Sequence, residues 1–176
     1  YISLPAANLN EYGSATIAEQ TNKPAADAYE PGSVFKIFTL GIVFDEGTIN
    51  PNDSFLCDGV YEHRIPGGET IRIKCLEHHG WLTPREGLKY SCNDVLGQIS
   101  DKVSEDTFIA RIRQLGFGQR TGIELAGETT GIVKDRDSKS WSARSKPTIA
   151  IGQEISVSAL QMVQAATAIA NDGVPV

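Results

Sequence analysis

From Pro31 to Phe44 the only charged residue is Lys36, and Val34, Phe35, Ile37, Phe38, Leu40, Ile42, Val43 and Phe44 leave almost no polar face. Pro31-Gly32 breaks the chain before this run, and Gly47 and Pro51 follow it. The pattern predicts a helix from Ser33 to about Glu46, buried on most sides. Gly41 inside it predicts a close helix contact.

Elsewhere the period changes. Val60–Ile65 and Thr70–Lys74 alternate about Pro66-Gly67-Gly68, which predicts a β-hairpin. Thr83-Pro84-Arg85-Glu86 is a capping box with proline at the first helical position, so a short helix runs from Pro84 to about Tyr90. Further helices are expected over Asp94–Val103 and from Ser104 to Leu115, the latter ended by Gly116-Phe117-Gly118. Residues 119–144 are rich in Gly, Thr and charge and read as irregular loop, and Pro147–Ile151 is a short apolar run. Ser156 or Ser158 then caps a helix to Ala170, with Leu160, Val163, Ala166 and Ile169 as its apolar stripe. At the start, Ile2–Ala6 reads as a strand and residues 8–22 as mixed, with at most a short helix over 14–19. There is no repeat, low-complexity tract or linker, so residues 1–176 read as one domain or part of one.

The chain has 176 residues, 40% of them hydrophobic, which is enough to bury on the order of 70% of the unfolded surface. A net charge of −6 without a basic run argues against nucleic acid as a partner. The longest apolar run, Ile37–Phe44, falls far short of the ~20 residues a membrane helix needs. The chain opens on Tyr1 rather than methionine and closes on a turn at 171–176; the expectation is a segment of a longer protein.

Lys36 is where pattern becomes chemistry. Desolvation lowers the pKa of a buried lysine toward that of a useful base. Ser33 lies one turn earlier on the same face, and a helix start offers free N–H groups to a developing anion. Nucleophile, base and anion-stabilising backbone describe acyl transfer through a covalent intermediate. Taken alone, Ser-x-x-Lys also arises by chance, and a lysine on an apolar helix can snorkel to the surface. A second motif, Ser91-Cys92-Asn93, falls between two predicted helices. Its hydroxyl suits a proton relay and its amide a clamp on a carbonyl and on the lysine. The bland alternative is a pair of ordinary capping residues.

The two motifs together are far more specific. The chain resembles the transpeptidase domain of class B penicillin-binding proteins over nearly its whole length. The resemblance is carried by Tyr29-Glu30-Pro31-Gly32-Ser33-Val34-Phe35-Lys36, by Glu46–Asp53 and by Leu88-Lys89-Tyr90-Ser91-Cys92-Asn93. Gly116-Phe117-Gly118 with Thr121–Leu125 and Glu128, and Ile151-Gly152-Gln153 with Ile155–Val157, extend it. It implies an α+β fold of the penicillin-binding protein/serine β-lactamase type, a helical subdomain with an antiparallel sheet that is incomplete here. It implies peptidoglycan D,D-transpeptidase activity: Ser33 acylated by a D-Ala-D-Ala stem peptide, Lys36 as base, Ser91 passing the proton to the leaving amine and Asn93 holding the substrate amide. β-Lactams would acylate Ser33. No cofactor is implied. The setting implied is extracytoplasmic, with the parent anchored by an N-terminal transmembrane helix outside this chain.

The family's third motif, Lys-Thr/Ser-Gly on a strand, is not found. Arg120-Thr121-Gly122 imitates it but lies in a Gly-rich loop. The expectation is that a missing segment or a second chain supplies that strand, and that the isolated chain does not turn over. Two other readings share these motifs. A serine β-lactamase would need a deacylating base, for which Glu124 and Glu128 are the nearest candidates. A penicillin-binding sensor or scaffold would acylate without cross-linking. Glu154 stands where many relatives carry glycine, which puts the local turn in question.

Three cysteines cannot all pair within the chain. Cys57 and Cys75 flank the hairpin and are the disulfide candidates, as suits an extracytoplasmic domain. Zinc held by Cys57, Cys75 and His78, with His79 adjacent, and unpaired thiols are the alternatives; no metal is assigned. Cys92 reads as a small packed residue.

Overall fold

A computed structural model describes residues 3–65 and 68–176. In chain order the elements are a 3-10 segment Leu9–Ser14, α1 (Ile17–Gln20), α2 (Lys23–Ala26), a 3-10 turn Gly32–Phe35, α3 (Lys36–Asp45), β1 (Phe55–Cys57), β2 (Val60–Arg64), β3 (Thr70–Lys74), β4 (Gly80–Leu82), α4 (Pro84–Lys89), α5 (Asn93–Ser100), α6 (Glu105–Gln114), α7 (Ser145–Ala150) and α8 (Ala159–Ala170). They fall into two compact units. One comprises residues 30–114 and 133–155, the other residues 1–29, 115–132 and 156–176.

The first unit is built on α3, which packs with α4, α5 and α6. Phe38, Thr39, Leu40, Ile42 and Val43 are buried, and so is Lys36. The helix is buried on most sides, as predicted, but one narrow face is open. Val34 and Ile37 are exposed and the Cβ position of Gly41 meets open space. Residues 34, 37 and 41 share one face; α4, α5 and α6 bury the opposite one, so the predicted close contact at Gly41 is not made.

The two strand pairs are antiparallel. β2 and β3 form the predicted hairpin, with Val60 opposite Lys74 and Arg64 opposite Thr70. Its turn residues Pro66 and Gly67 lie outside the described residues. β1 pairs with β4, which sets Cys57 opposite Gly80. The buried alternate residues Tyr61 and Ile73 meet Leu96 and Ile151 in a small core. Gly97 permits this approach, because a Cβ there would stand 2.6 Å from the Tyr61 ring. The capping box at Thr83 forms as expected: Glu86 N donates to Thr83 Oγ1 at 3.3 Å and Thr83 N to Glu86 Oε2 at 2.8 Å. Pro147–Ile151 contributes most of α7 rather than an isolated run.

In the second unit Ser158 caps α8 in a box with Gln161. Its buried face is not the predicted stripe: Gln161, Ala165 and Ala168 point inward, whereas Val163 is 64% and Ile169 56% exposed. The buried amide decides this orientation. Gln161 Nε2 donates to Gln119 O at 2.6 Å and Thr130 O at 2.8 Å, and its Oε1 accepts from Ser158 N at 2.9 Å. Residues 3–6 are not a strand. Pro5 has no N–H to give a ladder, and no strand among the described residues pairs with them. Ile2 lies outside the described residues.

Candidate active site

Ser33 sits in the 3-10 turn Gly32–Phe35 that leads into α3, one step before the regular helix that the sequence predicted to contain it. The turn is fixed from behind. Gly32 N donates to Gly152 O at 2.8 Å. Gly152 has φ +81°, and a Cβ there would stand 1.9 Å from Gly32 O. A side chain at Gly152 would push the serine turn outward. Ser33 itself is exposed.

Lys36, the first residue of α3, is fully buried. Its Nζ lies 3.2 Å from Ser33 Oγ, 2.9 Å from Ser91 Oγ, 2.6 Å from Ser91 O and 2.7 Å from Asn93 Oδ1. The sequence-predicted residues Ser33, Lys36, Ser91 and Asn93 therefore converge on one nitrogen, and Lys36 does not snorkel. Burial pulls its pKa down to about 8, against a smaller upward pull from Cys75 and Cys92. Near neutrality a useful fraction of the amine is unprotonated, able to accept the Ser33 proton at 3.2 Å.

The α4–α5 turn presents the second motif. Ser91 has φ +52°, a left-handed conformation that costs a serine on the order of 1–3 kcal/mol. It is held by Ser91 N to Leu88 O at 3.0 Å and Cys92 N to Gly87 O at 2.8 Å. Gly87 lets α4 close onto α5, since a Cβ there would meet Val95 at 2.7 Å. The conformation turns both the hydroxyl and the carbonyl of Ser91 onto Lys36. Asn93 opens α5, and its Nδ2 donates to Lys74 O at 3.0 Å at the end of β3. The amide is thus a strut between Lys36 and the hairpin. Neighbouring Asp94, which the sequence did not single out, is buried and accepts from Gln98 Nε2 at 2.7 Å and Asp58 N at 3.2 Å. An acidic residue in the first turn of an amphipathic helix was its only signal.

Glu154 has φ +57°, and its turn is held without glycine. Its carboxylate takes Lys134 Nζ at 2.7 Å and Ser145 Oγ at 2.9 Å, and its N–H reaches Glu30 Oε1 at 2.9 Å. Glu128 receives the N–H and hydroxyl of Thr121, so this candidate deacylating base is engaged in a loop of the other unit. Arg120-Thr121-Gly122 lies outside any strand.

Below the turn, the expected Cys57–Cys75 disulfide is not formed: all three cysteines are free. Cys57, Cys75, Cys92 and His79 instead gather, with one ligand atom from each lying within 4.8 Å of all the others. His79, not His78, joins them; His78 lies against Gly59. Burial raises the Cys75 thiol, but N–H groups of Glu77, Asp94 and Asn93 together with the Cys92 thiol outweigh it and bring the pKa down to about 7. Burial pushes Cys92 up.

The family profile described as penicillin binding protein transpeptidase domain matches residues 3–176. Stage V sporulation protein D of Bacillus subtilis is 35% identical over 86% of this chain and 23% of its own length. The probable peptidoglycan D,D-transpeptidase PenA of Neisseria flavescens is 27% identical over 98% of this chain and 41% of its own length. Among solved structures, penicillin binding protein 3 of Mycobacterium tuberculosis complexed with aztreonam aligns with a TM-score of 0.81 and 30% identity, over 97% of this chain and 36% of that one. The chain thus spans less than half the length of each of these relatives.

Proposed function

The chain belongs to the penicillin-binding protein transpeptidase domain family, and from that membership we propose that it carries the serine half of a peptidoglycan D,D-transpeptidase site. One observation carries the reading: a buried amine stands 3.2 Å from the exposed Ser33 hydroxyl and 2.9 Å from the Ser91 hydroxyl. Lys36 takes the Ser33 proton as Ser33 Oγ attacks the carbonyl between the two D-alanines of a stem peptide. The acyl-oxygen bond forms, the peptide bond breaks, and the proton returns through Ser91 to the departing D-alanine amine. An amine of a neighbouring strand then attacks the ester, forms the cross-link and releases Ser33. A β-lactam enters by the same attack on its ring carbonyl. The helix start behind Ser33 favours the oxyanion.

The reading completes the cleft with a Lys-Thr/Ser-Gly strand from polypeptide outside these 176 residues, either another segment or a second chain. It sets the reaction on the outer side of the cell membrane, where stem peptides lie. No described helix is long and apolar enough to cross a membrane.

Intact mass after incubation with penicillin tests the proposal. The parent protein should gain one penicilloyl group, lost in Ser33→Ala, and should release D-alanine from a D-Ala-D-Ala peptide. Residues 1–176 alone should acylate far more slowly. Acylation of the parent at another residue would sink the reading, and fast hydrolytic turnover of the β-lactam would make it a β-lactamase.

A further inference from the structure

We propose that Cys57, Cys75, His79 and Cys92 bind one zinc ion, which acts as a structural clamp on the turn bearing Ser91 and Asn93. Three of the ligand separations match a tetrahedral site, and the remaining ones lie within 4.8 Å. Zinc–sulfur bonds of about 2.3 Å and zinc–nitrogen bonds of about 2.0–2.1 Å place sulfurs ~3.8 Å apart and sulfur and nitrogen ~3.5 Å apart. Cys75 Sγ and Cys92 Sγ are 3.6 Å apart. His79 Nδ1 is 3.5 Å from Cys57 Sγ and 3.7 Å from Cys75 Sγ. A disulfide needs about 2.05 Å. It would also leave one of the three sulfurs over, whereas a four-ligand site uses them all.

The fold converges three segments on this point: the end of β1, the β3–β4 connection and the α4–α5 turn. Cys57 ends β1, and its pairing with Gly80 brings the adjacent His79 alongside. Cys75 follows β3, tied by its N–H to Gly59 O at 2.8 Å. Cys92 caps α5, its Sγ accepting from Val95 N at 3.4 Å. The His79 ring stacks on Tyr90 with centroids 5.7 Å apart and planes 15° apart, which fixes its orientation. Cys57 and Cys92 are buried and Cys75 half-buried. Three soft sulfurs with an imidazole select zinc among common divalent ions. Four protein ligands leave no position for a reactive water, so the ion is structural.

Its placement gives it leverage on the chemistry. Cys92 lies between Ser91 and Asn93, and Cys75 follows Lys74, whose carbonyl receives Asn93 Nδ2. One ion therefore holds the neighbours of both Asn93 and Lys74, the donor and acceptor of that hydrogen bond. Zinc binding stands apart from the transpeptidase reading; only the effect on acylation rests on it.

The test uses chain expressed with zinc in excess. Metal analysis should find one zinc per chain, with three thiols that titrate only after chelation or denaturation. Cys57→Ser, Cys92→Ser and His79→Ala should each lose most of the metal, whereas His78→Ala should keep it. His79→Cys should also keep it, as a four-thiolate site, and so separates ligation from loss of packing. Cobalt loading should give thiolate-to-cobalt charge transfer with the visible bands of a tetrahedral ion. Chelation should lower the melting temperature of the wild type but not of Cys75→Ser, and should slow penicillin acylation of the parent. A folded, zinc-replete chain that holds no metal, with a disulfide by mass or three freely titrating thiols, would overturn the proposal. Full zinc content in His79→Ala would also overturn it.

Discussion

Asn93 Oδ1 stands 2.7 Å from Lys36 Nζ while Asn93 Nδ2 donates to Lys74 O at 3.0 Å, so one neutral amide joins the buried amine to the end of β3. Neutrality matters here. A carboxylate in the same place would hold the proton on Lys36.

Asn93→Asp should therefore raise the Lys36 pKa and move the acylation profile to higher pH, with a loss of activity near neutrality. A close opposite charge shifts a pKa by about 1–3 units, so the displacement is readable from acylation rates across pH. An unmoved profile would mean that Lys36 is not the group titrating.

In the wild type, burial lowers Lys36 to about 8. The active form is the neutral amine, so the rate should rise with pH through about 8 and level above it. Below that point it should fall roughly tenfold per pH unit. Lys36→Arg, which stays charged, should abolish acylation at every pH.

Ser91 allows strain and chemistry to be separated, because its φ is +52°. Ser91→Gly removes the hydroxyl and the strain, whereas Ser91→Ala removes only the hydroxyl. The glycine variant should be more stable than the alanine variant by about 1 kcal/mol, and both should be poor at expelling a leaving amine. Equal melting temperatures would contradict the strained turn.

The inverted face of α8 predicts an inverted mutational pattern. Val163→Ser and Ile169→Ser should change stability by no more than about 0.5 kcal/mol. Gln161→Leu should destabilise by about 1–3 kcal/mol, because it removes the hydrogen bonds that the amide makes to Gln119 O, Thr130 O and Ser158 N. Chemical denaturation of the three variants settles the order.

What the sequence disclosed was local. Thr83-x-x-Glu86 names its own hydrogen bonds, and the alternation of Val60–Arg64 with Thr70–Lys74 names its own partner. Ser33 and Lys36 share a face through helical geometry alone, and Ser91 and Asn93 were found by motif. What it hid was set by distant packing. Leu160, Val163, Ala166 and Ile169 are the more apolar side of α8, yet Gln161 turned inward because two distant carbonyls, Gln119 O and Thr130 O, together with its own cap residue Ser158 satisfied it. The open face of α3 at Val34 and Ile37 follows from where α4, α5 and α6 lie, which no window within the helix reports. His79 rather than His78 joined the cysteines because the β1–β4 register sets Cys57 opposite Gly80, a fact about pairing rather than spacing.

Ser91, Cys92 and Asn93 are consecutive and do unrelated jobs: one bears a left-handed backbone, the next caps a helix from within a sulfur cluster, and the third braces the amine. None of the three is spare. For an organism under antibiotic selection, this tripeptide is a poor place to find resistance. On the transpeptidase reading proposed above, a change that slows the drug's attack would also disturb a cap, a turn or the proposed clamp on which cross-linking would depend.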